Sequence, residues 1–412
     1  MVLLHRPRNR CNDLACRLAA GPALLQLRYE FMISAVTTLV LMMGSSLGAA
    51  PANTAQAAAE SDWPMFRGNS RLTGIATSDL PANLDVRWKF ESPEHEAVVS
   101  TAAIVGGVAY VTCEDGQLYA LDLATGAVRW KYDAGASIDS SPTVASGLVL
   151  LGDQDGGFHA VHAASGKQAW SFKAEAEIVS SANVWNDRLV FGSYDGNVYC
   201  LSVGTGSLLW KYETEAQVHS TIGIIENCAL VAGCDGNLRV LRMNDGKQVR
   251  ALDIDARTAA GAAIRGDHVF IGTLGNRVLC IDWKKGRVDW TYENPDRSFP
   301  FQSSAAVTDD LVIIGGRDKI LHALDGKTGT RRWSFRTKGR IDSSAVVVGR
   351  RVFVGSSDGF LYALGLADGR EQWRFEAGAP ISASPAVGGG CLVVGTEDGL
   401  VYCFGSKGAA RN

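Results

Sequence analysis

A repeat of about 40 residues is the feature of this sequence that most restricts its possible folds. Tryptophan recurs at this spacing, with arginine in one slot, so that the marked positions are Trp130, Trp170, Trp210, Arg250, Trp290, Trp333 and Trp373. A turn dipeptide, Asp-Gly in most copies, runs in phase and begins at residues 115, 155, 195, 235, 275, 318, 358 and 398. Two markers with one shared period indicate a repeat architecture in which each unit is one supersecondary element.

Each unit contains four short segments with strand character. In the first unit these are Val98–Val105, Val108–Cys113, Gln117–Leu123 and Ala127–Tyr132, and glycine-containing turns separate them. Glycine and aspartate tolerate the positive φ angle that tight hairpin turns require. Four short strands in about 40 residues are typical of one propeller blade. The sequence therefore predicts an all-β fold, an eight-bladed β-propeller of four-stranded blades.

The two ends of the repeat array predict how the ring closes. The eighth unit stops after its third strand, at Phe404, so its outermost strand is missing. Residues 85–90 precede the first unit and match the pattern of a fourth strand, with Trp88 in the place of the recurring tryptophan. We therefore expect the N-terminal strand to complete the last blade, which also covers an exposed sheet edge.

The segment Ala120–Trp130 resembles the tryptophan-docking repeat of quinoprotein-type (PQQ-like) propellers, whose pattern is A-x-D-x-x-T-G-x-x-x-W. Ala323–Trp333 repeats the pattern, and the resemblance extends over residues 62–405. It implies that each tryptophan covers the next blade with its large apolar face, and that blade four, with Arg250 in this slot, has the loosest seam. The structural docking residues are then Trp88, Trp130, Trp170, Trp210, Trp290, Trp333 and Trp373.

The resemblance leaves two classes of function open. Some propellers of this type are dehydrogenases, which bind PQQ and calcium and carry adjacent cysteines and long insertions between blades. This sequence has no two adjacent cysteines, no Cys-x-x-Cys-His motif and nearly minimal units. The similarity to outer-membrane assembly factors, which have the same repeat and no cofactor, favours a protein that is not an enzyme, with no catalytic, cofactor-binding or metal-binding residues. The alternative is a PQQ-dependent oxidoreductase or a PQQ-binding protein.

Small hydroxyl residues recur in the innermost strand of most units, although Ala383-Ser384 matches only in part and Ala260-Gly261 breaks the series. They form pairs such as Ser100-Thr101 and Ser140-Ser141, preceded in several units by a polar residue such as Asp139 or His219. Such pairs have two explanations: crowded inner strands need small residues that bond backbone or water, or the pore binds a small molecule or an ion. The predicted pore-lining residues are Ser100, Ser140, Ser180, Ser220, Ser303 and Ser343.

Residues 1–60 have the layout of a signal peptide and targeting region. Arginines precede an apolar run at residues 32–47, and small residues follow it, which is the order found in secretory signal peptides. We expect cleavage and a periplasmic or secreted protein without firm membrane insertion. An uncleaved anchor is the alternative, and either Met1 or Met32 can be the true start.

The rest of the chain is read as one propeller domain, residues 61–405, and a C-terminal tail, residues 406–412. A net charge of −3 at pH 7 argues against a nucleic-acid partner, which requires a basic surface. We expect a protein partner in the cell envelope. Candidate contacts are the longer connection at residues 294–301 and a basic group at residues 317–340, whereas Trp63 and Phe66 are expected to plug one face of the ring.

Three cysteines occupy a repeat position that alanine holds in other units. They are Cys200, Cys280 and Cys403. A small buried strand residue explains this position better than a disulfide or a metal ligand does. The sequence therefore predicts free thiols.

Overall fold

The computed structural model describes residues 61–406, which form eight four-stranded antiparallel blades arranged in a ring, one of them extended by a fifth strand. The predicted eight-bladed β-propeller is therefore confirmed. The predicted signal peptide and targeting region, residues 1–60, and residues 407–412 of the tail lie outside the described residues. Within residues 61–406, no helix has the length and apolarity needed to cross a membrane.

Two strands precede the first complete blade, β1 (Ile75–Ala76) and β2 (Asp85–Glu91). Blades one to four then follow in chain order, each with its innermost strand first. Their strands are β3 (Ala103–Val105), β4 (Val108–Thr112), β5 (Gln117–Asp122), β6 (Val128–Asp133); β7 (Thr143–Ala145), β8 (Leu148–Gly152), β9 (Gly157–His162), β10 (Gln168–Lys173); β11 (Asn183–Trp185), β12 (Arg188–Gly192), β13 (Asn197–Ser202), β14 (Leu208–Glu213); β15 (Gly223–Ile225), β16 (Cys228–Ala232), β17 (Asn237–Arg242) and β18 (Gln248–Asp253).

Blades five to seven have the same order, and blade eight takes three strands from the end of the chain. Their strands are β19 (Ala263–Arg265), β20 (His268–Gly272), β21 (Arg277–Asp282), β22 (Arg287–Glu293); β23 (Ala306–Val307), β24 (Leu311–Gly315), β25 (Ile320–Asp325), β26 (Arg331–Arg336); β27 (Val346–Val348), β28 (Arg351–Gly355), β29 (Phe360–Gly365), β30 (Glu371–Glu376); β31 (Ala386–Gly388), β32 (Cys391–Gly395) and β33 (Leu400–Gly405).

The N-terminal strand closes the ring, as predicted. β2 lies antiparallel to β33, with Trp88 opposite Cys403 and Glu91 opposite Leu400, and it forms the outer edge of blade eight. A second N-terminal strand has no counterpart in the repeat pattern. β1 adds to the inner edge of blade seven, parallel to β27, with Ile75 opposite Val347.

Burial within a blade falls from the middle strands to the outer strand. Every residue of β4 is buried, whereas β6 alternates between exposed and half-buried positions. The middle strands lie between two neighbouring blades, so both of their faces are covered and they read as continuous apolar runs. The outer strand has one open edge and keeps the polar alternation of a half-covered strand. The apolar core therefore follows the seams between blades.

Candidate functional site

The docking tryptophans lie at the seams between blades. Each indole packs on a glycine of the next blade, so closely that a Cβ at that glycine would lie only 2.4–2.7 Å from a ring atom. Each indole N–H also donates to a backbone carbonyl of that blade at 2.8–3.1 Å. The pairs are Trp88 with Gly126, Trp130 with Gly166, Trp170 with Gly206, Trp210 with Gly246, Trp290 with Gly329, and Trp333 with Gly369.

Two members of the series depart from this arrangement. Trp373 faces blade eight, whose outer strand comes from the N-terminus, and its ring packs edge-on against Phe404 at 5.5 Å between ring centroids. Arg250 does occupy the docking slot of blade four. Its side chain lies over Gly286, and its Nη1 donates to the carbonyl of Lys285 at 3.4 Å. This seam therefore has an exposed aliphatic and polar contact in place of an indole.

Residues 61–78, here called the strap, bond to all eight blades. Trp63 and Ile104 exchange two backbone hydrogen bonds at 2.8 Å, and further backbone bonds reach blades two and four to seven. In blade three, the Asn183 side chain donates to the Ser70 carbonyl at 2.7 Å. Blade eight donates to the Ser61 carbonyl and the Ser78 hydroxyl at 3.0 and 2.9 Å. The backbone donors in the other blades are Val144, Ile224, Ile264, Val307 and Val347.

Strap side chains fill one end of the central channel. Trp63, Arg67 and Leu72 are fully buried, and Phe66 lines the channel. The Arg67 guanidinium donates to the carbonyls of Ser344 and Ala305 at 3.1 Å each. Burial lowers the pKa of Arg67. The strap therefore covers this end of the channel with aromatic and hydrogen-bonded side chains, which is the plug expected for Trp63 and Phe66.

The channel has a volume of about 200 Å³ and a polar lining. One residue per blade faces it at the level of the inner strands, and this is the second residue of each sequence pair. The set is Thr101, Ser141, Ser181, Thr221, Gly261, Ser304, Ser344 and Ser384.

The structure corrects the predicted pore lining by one residue. The predicted serines are buried and point away from the channel, because successive side chains of an extended segment alternate in direction. Ser140 donates to the Gly152 carbonyl at 2.7 Å, and Ser303 to the Gly315 carbonyl at 2.9 Å, so these hydroxyls tie the inner strand to its own blade. The residues corrected in this way are Ser100, Ser140, Ser180, Ser220, Ser303 and Ser343. Ser180 differs from the others in its partner, because its hydroxyl donates to the Ser220 carbonyl of the next blade at 3.0 Å.

The hydroxyls that do face the channel link neighbouring blades. The Thr101 N–H donates to Ser141 Oγ at 3.0 Å, and the Ser141 N–H donates to Ser181 Oγ at 2.9 Å. The same contact recurs between Ser304 and Ser344 and between Ser344 and Ser384, each at 2.9 Å. These buried backbone N–H groups need an acceptor, which gives the ring of hydroxyls a structural role.

Charged and polar side chains surround the open mouth of the channel. Tyr194 and His219 Nδ1 lie 2.6 Å apart, and burial lowers the pKa of His219 although Asp139 opposes this. Asp342 binds Arg317 and Arg340, with contacts of 2.9 and 2.8 Å. Among the described residues, Asp139 Oδ1 and Ser382 Oγ are buried without a hydrogen-bond partner.

The mouth is divided by charge. On one side, burial and then the nearby carboxylates of Asp139, Glu96 and Glu397 raise the pKa of Glu114. The other side holds Arg317 and Arg340 around a single carboxylate. Sequence reasoning noted several of these residues separately, but their grouping depends on the folding of distant repeats into one ring.

The channel residues do not fit PQQ, the cofactor of quinoprotein dehydrogenases. Small-molecule pockets usually have volumes of about 300–1,000 Å³ and a mostly apolar lining, whereas this channel offers about 200 Å³ ringed by hydroxyls. A flat tricyclic quinone with three carboxylates has no slot in this channel, and the Arg317 and Arg340 guanidinium groups at its mouth share one carboxylate, that of Asp342.

Apart from Arg317 and Arg340 at the mouth, the other candidate contacts are partly buried or paired within the propeller. In the connection at residues 294–301, Phe301 is fully buried and Asn294 donates to Asp318 at 2.6 Å, while Phe299 is exposed. In the basic group of blade six, Arg332 binds Asp325 at 3.1 Å.

One group of possible metal ligands lies on blade five. Side-chain atoms of His268, Asp282 and Asp289 come within 4.8 Å of one another. Lys285 contacts Asp282 at 2.7 Å, and Arg287 contacts Asp289 at 2.9 Å. These cations already balance the two carboxylates, so the group is an ion-pair network.

Comparison with known proteins places this architecture in a family. The family model described as outer membrane protein assembly factor BamB matches residues 81–222, 180–293, 234–365 and 317–411. The chain belongs to this family. BamB from Moraxella catarrhalis has the same fold: its structure superposes with a TM-score of 0.68 at 16% identity, covering 78% of this chain and 100% of that one.

Quinoprotein dehydrogenases share the fold as well. The quinohemoprotein alcohol dehydrogenase of Comamonas testosteroni superposes with a TM-score of 0.73 at 15% identity, covering 87% of this chain and 82% of that one. In sequence, quinohemoprotein alcohol dehydrogenase ADH IIB of Pseudomonas putida is 34% identical over 85 residues, which is 19% of this chain. Polyvinylalcohol dehydrogenase of a Pseudomonas species is 38% identical over 68 residues. These matches span only 12% and 10% of the two relatives.

Proposed function

We propose that this chain is an exported, non-catalytic β-propeller that binds a protein partner in the cell envelope, in the manner of an outer membrane assembly factor. The observation that carries the proposal is the central channel, which the strap covers at one end and which is small, polar and bonded between blades. A scaffold needs a rigid ring with usable faces, and this construction supplies both.

The mouth face is the proposed contact surface. Its carboxylates around Glu114 and its guanidinium pair at Arg317 and Arg340 form two regions of opposite charge. Opposed charged regions orient a partner and speed its association. The opposite face is less available to a partner, because the strap covers it and bonds to every blade there.

Crosslinking of the full chain in its own cells tests this proposal. The tagged chain is treated with a cleavable crosslinker, and captured proteins are identified by mass spectrometry. We expect Glu96→Lys combined with Glu397→Lys at the mouth to remove a specific envelope partner. Glu376→Lys, on the outer strand β30, is the matched control and should retain it. Equal capture by both variants would exclude the mouth face.

The alternative function, a PQQ-dependent oxidoreductase or PQQ-binding protein, is favoured by the local similarity to the two Pseudomonas dehydrogenases. It is tested with the purified full chain, PQQ, calcium and a primary alcohol. We expect no bound quinone absorbance and no alcohol-dependent reduction of a dye. Stoichiometric quinone binding would overturn the non-catalytic proposal, whatever the crosslinking result.

A further inference from the structure

Blade eight contains a pair of cysteines on adjacent strands. Cys391 begins β32 and Cys403 lies in β33, and the register pairs Leu392 with Phe404 and Val393 with Cys403. The two cysteines therefore lie on the same face of adjacent strands. They are diagonal neighbours, because Cys391 is two residues from Val393, the residue opposite Cys403. Both are fully buried, and each thiol shifts the pKa of the other.

A cation from the other end of the chain contacts this pair. The register of β2 against β33 shifts between Val86 and Trp88, which leaves Arg87 at a bulge. Bulges commonly re-aim a side chain. Here the Arg87 side chain passes over Gly405, and its Nη1 donates to Cys391 Sγ at 2.9 Å. Arg87 is itself exposed, so it lies at the boundary between this sulfur and solvent.

These contacts give Cys391 a lower pKa than the other buried cysteines of the propeller. The Cys403 hydrogen bond lowers the pKa of Cys391 to about 6, against burial and with the help of Arg87. The same coupling and burial raise the pKa of Cys403. In contrast, burial raises the pKa of Cys200 and Cys280 to about 12. Reactivity of a cysteine follows its thiolate character and access.

We propose that Cys391 and Cys403 form an oxidisable dithiol, in which Cys391 reacts with hydroperoxides and Cys403 resolves the product. The Cys391 thiolate attacks the terminal oxygen of the hydroperoxide, so an S–O bond forms as the O–O bond breaks. The alkoxide or hydroxide that leaves takes a proton from water. Rotation of the exposed Arg87 side chain admits the small oxidant.

The second step consumes the sulfenic acid. The sulfur of Cys403 attacks the Cys391 sulfur, an S–S bond forms, the S–O bond breaks, and the oxygen leaves as water with the proton of the Cys403 thiol. In total two thiols lose two electrons and two protons, and the hydroperoxide is reduced to an alcohol or water plus one further water. The two cysteines already lie on the same face of adjacent strands, and the disulfide forms when their sulfurs reach bonding geometry.

The test exposes the reduced, folded chain to hydrogen peroxide and follows each cysteine by peptide mass spectrometry. We expect Cys391 to react at least 10-fold faster than Cys280 and to appear in a disulfide with Cys403. Cys403→Ser should stop the reaction at a sulfenic acid on Cys391, which dimedone traps. Arg87→Gln should slow the reaction several-fold.

Cys280→Ser is the matched control, because Cys280 is equally buried and holds the same repeat position as Cys403. In the Cys280→Ser variant, Cys391 should be oxidised at the same rate as in the parent chain. Oxidation of Cys391 no faster than that of Cys280 in the parent chain would overturn the proposal, and so would the absence of a Cys391–Cys403 disulfide. The parent chain alone decides both points, so the proposal does not depend on how the variants fold.

Discussion

The indole of Trp88 packs on Gly126, and its N–H donates to the Leu123 carbonyl at 2.9 Å. Trp88 belongs to the strand that precedes blade one in sequence, yet it serves as the docking residue of blade eight. The same N-terminal segment therefore closes the ring through two kinds of contact. β2 completes the sheet of blade eight, and its tryptophan seals that blade against blade one.

This relationship predicts a strong effect of a single methyl group. Gly126→Ala places a Cβ 2.7 Å from the indole at a φ of +76°, so both a clash and backbone strain arise. We expect a loss of about 1–3 kcal/mol of unfolding free energy from the overpacking alone. Gly106→Ala is the control, because its φ is +58° but no atom lies within 4 Å. Urea midpoints measure both, and equal midpoints would show that the contact with Trp88 is unimportant.

The docking slot itself can be tested by comparing blades six and four. Trp333 is 9% exposed and donates to the Leu366 carbonyl at 3.0 Å, so Trp333→Ala should cost about 3–5 kcal/mol. Arg250 occupies the same slot on an exposed surface, and Arg250→Ala should change stability by about 0.5 kcal/mol or less. Denaturant midpoints of the two variants give the comparison. If Trp333→Ala were as mild as Arg250→Ala, the tryptophans would not be docking residues.

The channel hydroxyls predict a contrast between two serines. Ser344 Oγ accepts the buried Ser304 N–H at 2.9 Å, so Ser344→Ala leaves that donor unpaired and should cost about 1–3 kcal/mol. Ser382 also lines the channel, but its hydroxyl has no partner among the described residues. Ser382→Ala should therefore be neutral or slightly stabilising. Thermal unfolding measures both, and an equal loss would contradict the structural role of the ring.

Acid sensitivity is expected at two buried aspartate–histidine pairs. His159 contacts Asp153 at 2.7 Å, and His322 contacts Asp318 at 2.9 Å. Burial raises the pKa of each aspartate, but the histidine and backbone hydrogen bonds outweigh it and hold the pKa below the usual value. Because the folded pKa is the lower one, the stabilisation is present above about pH 4, the unfolded value. It is lost as the pH falls further, through the folded pKa.

The measurement for this prediction is the urea midpoint between pH 6 and pH 3. The parent chain should lose stability over this interval, and His322→Gln should lose less, because part of the pKa difference of Asp318 has been removed. The same pH dependence in both proteins would show that this pair does not contribute to the acid sensitivity.

Local sequence patterns predicted the blades, the closing strand and the docking tryptophans. The blades and the docking tryptophans depend on contacts that every repeat makes, and the closing strand carries the fourth-strand pattern of every unit. A marker such as Trp130 can therefore be recognised within a single repeat. The pore was predicted less accurately. The paired hydroxyls at Ser140 and Ser141 were visible, but the alternation that points Ser141 inward and Ser140 into its own blade depends on the register of the inner strand.

The sequence by itself determined a closed all-β ring of eight repeats, because the period, the turn glycines and the tryptophans are properties of one unit repeated. Only the tertiary structure decided what joins distant units. The strap that bonds all eight blades, the opposite charges at the mouth, and the contact of Arg87 with Cys391 each involve residues far apart in sequence. No periodic signal marks such contacts, since they arise when the ring closes and occur once.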